Sequence, residues 1–151
     1  MKTALAAAAA LFVAIGAAHA ATFRVDDSGS LPNETRTEMK WRSLAPSRAA
    51  GNEIVGRTVV TVRLNLAPWL NRAGRIYMGL PEQSIGSVSA DWTTQGRLLP
   101  GSLRSGSRAL VYSGRIRAAR LEDTIVLTLA ADGRRLEDSQ RLQFYFEIDV
   151  D

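Results

Sequence analysis

Leu142-Gln143-Phe144-Tyr145-Phe146-Glu147-Ile148-Asp149-Val150 sets five apolar side chains, Leu142, Phe144, Phe146, Ile148 and Val150, on one face of an extended chain. Gln143, Tyr145, Glu147 and Asp149 fall on the other. Successive side chains of a strand point to opposite faces, so strict alternation predicts a strand with one side in a core and the other toward water. Burying the five apolar residues contributes on the order of 10 kcal/mol gross at ~2 each.

The same period recurs upstream in Val60-Thr61-Val62-Arg63-Leu64-Asn65-Leu66, with Val60, Val62, Leu64 and Leu66 on the core side and Thr61, Arg63 and Asn65 on the solvent side. Further short runs rich in Val, Ile, Thr and aromatics, separated by Gly, Pro, Ser and Asn, predict strands near Thr22 to Val25, Glu38 to Ser43, Glu53 to Leu66, Arg75 to Gly79, Ser87 to Thr94, Ser102 to Arg104, Arg108 to Ser113 and Thr124 to Ala130. Pro68 breaks the run that follows Leu66, a short helical turn suits the stretch Ala67 to Gly74, and Gly74 suits the reversal into Arg75. Asp132-Gly133 suits a tight turn or the start of a longer loop. The expected fold is all-β, an immunoglobulin-like two-sheet sandwich of about seven to nine short antiparallel strands. No repeat or long linker divides it, so residues 21–151 read as a single domain.

Residues 1–20 read differently. Met1-Lys2-Thr3, an apolar run from Ala4 to Ala17 and the small residues Ala18 and Ala20 flanking His19 form the layout of a secretory signal peptide cleaved after Ala20. The apolar run is shorter than the ~20 residues a membrane span needs. The expectation is therefore an exported protein, periplasmic or extracellular, with no integral span after cleavage. The chain has no cysteine and its one histidine is His19, so the remaining residues lack both types. That excludes Ser-His-Asp and Cys-His nucleophiles, His- or Cys-held zinc, His-held haem and iron–sulfur clusters, and it leaves the core without a disulfide. The expectation is no enzyme, no cofactor and no metal.

Beyond residue 20 the chain holds 18 basic residues, 17 of them arginine, against 15 acids. That excess is too small to point to a nucleic-acid partner. Its distribution is uneven: residues 21–53 balance, residues 54–121 carry ten arginines against Glu82 and Asp91, and residues 122–151 carry eight acids against three arginines. One reading is an arginine-lined face that grips a carboxylate, sulfate or phosphate, because the guanidinium offers a planar fork to oxyanions. The other is that acidic strands of the last third lie beside the basic middle and pair across the sheet. For the first reading the candidate binding residues are Trp69, Arg72, Arg75, Arg97, Arg104, Arg108, Arg115 and Arg117. Trp69 is the candidate contact aromatic, while Trp41 and Trp92 sit in alternating runs that predict core.

Other constellations read as structure. Glu82 with Asp91 is a candidate carboxylate pair with nothing in the sequence to place the two across a cleft, and Lys40, between Met39 and Trp41, belongs to an amphipathic strand. Asp26-Asp27-Ser28-Gly29-Ser30 falls short of a calcium loop and predicts a capped turn. Glu122-Asp123 and Glu137-Asp138 predict loop acids, and Asn33-Glu34-Thr35 fits the glycosylation sequon. The scattered glycines, Gly74 and Gly79 among them, predict turns.

Tyr112-Ser113-Gly114-Arg115-Ile116 followed by Asp123-Thr124-Ile125-Val126-Leu127-Thr128-Leu129 resembles the tail of bacterial chaperone–usher fimbrial subunits. The resemblance implies an immunoglobulin-like sandwich that accepts a strand from a neighbour and polymerises or caps a surface fibre. Here the strand Leu142 to Val150 follows that tail and can complete the sandwich in cis. Two functions are thus expected of this chain. The first is an envelope protein that binds another envelope protein, or itself, by strand addition. The alternative is a soluble binding module for an anionic glycan or lipid head group.

Overall fold

The alternating run that begins at Val60 falls in one of the two longest strands described. In a computed structural model describing residues 20–32, 36–43, 51–84, 86–135 and 141–151, β4 (Glu53–Asn65) and β9 (Arg120–Asp132) are antiparallel partners over 13 residue pairs, about 43 Å of ladder. Around them the chain forms β1 (Ala21–Arg24), β2 (Leu31–Pro32), β3 (Lys40–Trp41), β5 (Ala73–Leu80), β6 (Ser89–Thr94), β7 (Gly101–Arg104), β8 (Ser107–Arg115) and β10 (Tyr145–Val150). One sheet runs β1-β10-β5-β8; the other runs β2-β4-β9-β6-β7, with β3 also on β4.

The two sheets pack face to face as a β-sandwich. Ile76, Met78, Leu80, Phe146, Ile148 and Val150 of the first sheet meet Val62, Leu64, Ile125, Leu127, Leu129 and Trp92 of the second, all buried. The alternation read at residues 60–66 and 146–150 is the alternation seen, although Val60, Leu142 and Phe144 are only partly buried against the core. At the β5/β8 pairing the register shifts between Ile76 and Tyr77, which leaves Val111 as an extra residue. The bulge turns Val111 into the core, 1% exposed, and frees its carbonyl for Leu99 N–H at 2.7 Å.

Several expectations need correcting. The described residues form ten strands, and the two-residue β2 is the one the sequence does not predict. The reversal before β5 is made by Asn71 at φ 63°, a conformation asparagine tolerates, whereas Gly74 lies inside β5. There the missing side chain matters for contact, since a Cβ on Gly74 would press to 3.0 Å from the Ile148 side chain. Gly79 is likewise a strand residue, and a Cβ there would fall within the Tyr145 ring. Trp92 is core, its indole N–H donating to Leu99 O, but Trp41 is 46% exposed and its ring covers Gly133 on the rim. Glu122 and Asp123 are strand residues because β9 begins at Arg120. The apolar leader (residues 1–19), the sequon and Glu137-Asp138 lie outside the described residues.

Candidate functional site

The strand expected from Leu142 to Val150 forms over Tyr145–Val150. β10 lies inside its sheet, bonded to β5 on one side and β1 on the other, so the edge is β1. β1 is four residues long and every one of them is exposed. It is held by Thr22 Oγ1 donating to Asp149 Oδ1 at 2.6 Å, by Arg24 over the Tyr145 ring at 4.3 Å, and by Phe23 against Trp69 at 6.0 Å between ring centres. Phe23 stays 44% exposed, and on the same side Leu31 on β2 and Trp41 on β3 are 58% and 46% exposed. That side therefore offers unpaired strand edges carrying large exposed apolar side chains, features that favour contact with another chain.

The outer face of this sheet is a charge and ring network rather than a vacant arginine surface. Arg108 lies 4.2 Å over the Tyr77 ring and binds both Glu147 and Asp149 at 3.2 Å. The Thr22 hydroxyl and the Arg108 guanidinium hold the Asp149 carboxyl below its ordinary value. A carboxyl depressed by folding stabilises the native state above its unfolded value of about 4 and loses that contribution as pH falls through the folded value. Acid should therefore loosen β1 as Asp149 takes up its proton. The backbone amide resonances of Thr22 and Phe23 are expected to shift as pH falls below the ordinary carboxylate value of about 4, and Asp149→Asn should abolish that response. Unchanged β1 resonances in an otherwise folded protein would refute this assignment.

The candidate arginines separate into distinct places. Arg72, Arg75, Arg97, Arg115 and Arg117 come from loops or strand ends at one end of the sandwich, while Arg104 and Arg108 lie toward the other. Arg72 donates to Asp151 O at 2.8 Å and Arg75 reaches the Asp151 carboxylate at 3.9 Å. Arg104 lines a groove of about 310 Å³ together with Glu53 and Asp132. The Asp132 carboxyl is pulled down to about 2 by the hydrogen bonds from Arg134. Trp69 is buried at 8%, so its indole anchors the loop from below. The pairing of acidic last-third strands with the basic middle is realised at Arg63–Glu122 and at Arg108–Glu147 and Asp149.

A second depression, of about 640 Å³, is lined by Asp26, Ser28, Gly29, Arg63, Asn65, Ala119, Arg120 and Glu122. Asp26 Oδ1 accepts from Ser28 N at 3.0 Å and Ser30 N donates to Asp27 O at 2.8 Å, which is the capped turn the sequence predicts. Ser28 also holds the Asp26 carboxyl below its ordinary value. With Arg63 closed on Glu122 by two contacts, the depression carries two acids against two arginines. No group of three or more metal-ligating side chains occurs among the described residues.

Reading the residues singly missed Asp123, which faces the core at 5% exposure and accepts from Leu98 N and Thr124 N, both at 2.7 Å. The phase of Leu121, Asp123, Ile125, Leu127 and Leu129 carries that signal. It also missed Arg120, one place outside the candidate set at the rim of the larger depression.

The fold and these features define an all-β sandwich with one apolar-decorated edge and one arginine-rich end. No protein-family model, no curated protein and no solved structure matches the chain. Among the described residues no helix is long and apolar enough to cross a membrane.

Proposed function

We propose that this is an exported, non-enzymatic protein of the cell envelope that assembles with other protein, including its own copies, by exchange of strand β1. The observation that carries the reading is that β10 is internal and its outer partner is a four-residue edge strand whose residues all reach solvent. The slot beside β10 would accept the same strand from a neighbour with the same ladder and the same contacts to Asp149, Tyr145 and Trp69. Four of the acids serve the fold: Glu122 holds Arg63, Glu147 and Asp149 hold Arg108, and Asp123 clamps a loop.

The chain contains no cysteine, so cross-linking can report the pairing directly. Thr22 and Asp149 are register partners with touching side chains. An oxidised mixture of Thr22→Cys and Asp149→Cys proteins should give a disulfide-linked dimer, and mass spectrometry of the secreted protein should read Ala21 as its first residue. If only the double variant cross-links, and only within one chain, β1 stays in cis and the exchange reading is wrong.

A further inference from the structure

The loop between β4 and β5 is built to display one apolar residue. Ala67–Trp69 forms a single 3-10 turn, Trp69 sinks into the core, and Asn71 at φ 63° turns the chain back. Leu70, between them, is 40% exposed. This loop is locked to the β8–β9 loop by Leu66 N to Ala119 O at 2.7 Å, Asn71 N to Ile116 O at 2.8 Å and Ile116 N to Arg72 O at 2.8 Å. Leu70 is therefore presented without a mobile loop to order on binding.

The partner loop and the strand ends that flank it supply the charge. Arg115, Arg117 and Arg120 are exposed, and their guanidinium groups have no partner among the described residues, unlike Arg72 and Arg75, which Asp151 engages. No acid occurs from Trp92 to Leu121.

We infer that this end of the sandwich docks on an anionic lipid surface, with Leu70 at the head-group boundary and Arg115, Arg117 and Arg120 on the lipid phosphates. An exposed apolar residue at an end that also carries exposed arginines matches the layered chemistry of a membrane interface, apolar beneath and anionic above. A soluble polyanion would use the arginines and leave Leu70 without a role. The inference stands apart from strand exchange, which uses the β1 edge.

The test is sedimentation of the processed protein, residues 21–151, which contain all ten strands, with phosphatidylglycerol-containing and pure phosphatidylcholine vesicles. Binding is expected only to the anionic vesicles and should weaken with salt. Replacing all three arginines by Ser should lower the partition coefficient on the order of 100-fold, and Leu70→Ser on the order of 10-fold. Because all four residues are exposed, thermal melts of both variants should match the parent, and Arg117→Glu alone gives a second, smaller readout in the same direction. Binding to neither vesicle, equal binding to both, or retention by the triple variant would overturn the inference. So would capture by heparin with no vesicle binding and no effect of Leu70→Ser, which would assign the arginines to a soluble polyanion.

Discussion

A chain ending at Gln140 is expected to give no cooperative unfolding transition in urea or on heating. The loss goes beyond one strand's worth of apolar surface. Phe146, Ile148 and Val150 are 3%, 0% and 1% exposed, about 6 kcal/mol of burial at ~2 each, and that sum already equals the lower part of the 5–15 kcal/mol range of whole-domain stability. Because β10 is internal, its removal also strands β1 without a partner and leaves one long edge of β5 unpaired above an uncovered core. Ile148→Ala offers a graded version, expected to cost about 2–5 kcal/mol because Ile148 is fully buried against Gly74 with little room to collapse. A sharp transition from the shortened chain, at a midpoint near that of the parent, would show that the two sheets cohere without β10.

The fold was legible where period and burial coincide. Residues 60–66 and 146–150 alternate because each strand has one wet face, and strand ends were placed within a few residues wherever Gly or Pro interrupts the pattern. What escaped was set by tertiary contact. β2 is two residues long, too short for any period, and exists because Leu31-Pro32 lies along β4 at Thr61 and Val60. Gly79 read as a turn residue because sequence cannot show the Tyr145 ring that occupies its missing side chain's place. Trp41 alternates like a core residue but lies on β3 at the rim, where the sheet ends before it can be covered.

The site was legible only in outline. The uneven charge along the chain identified which segments attract each other, and Arg108 with Glu147 and Asp149 is that attraction made local. Sequence gave no means of separating arginines consumed in this way from those left free. That distinction depends on cross-strand register, which puts Arg108 within reach of β10 and turns Arg115 and Arg117 toward the end of the sandwich.

Asp123→Ala is expected to cost about 3–5 kcal/mol, the largest effect of any single polar substitution outside the apolar core. The carboxylate is buried, and each of its oxygens receives a backbone N–H at 2.7 Å, Thr124 N–H on Oδ1 and Leu98 N–H on Oδ2. Alanine leaves the buried Leu98 donor and the part-buried Thr124 donor without an acceptor, at roughly 1–3 kcal/mol each. Asn is a sharper probe because its shape is almost unchanged: one oxygen still accepts, but the amide NH2 is set against the other N–H, so about 2 kcal/mol is expected. The carboxylate also packs against Gly96, where a Cβ would approach to 2.8 Å, so the turn carrying Arg97 closes over it. Amide hydrogen exchange at Leu98 should therefore rise in both variants well before the strands of the core lose protection. Glu122→Gln, one residue away, breaks an ion pair whose carboxylate is 51% exposed and should change stability by less than about 1 kcal/mol. If Asp123→Ala unfolds at the same denaturant midpoint as Glu122→Gln, the carboxylate does not hold the β6–β7 turn.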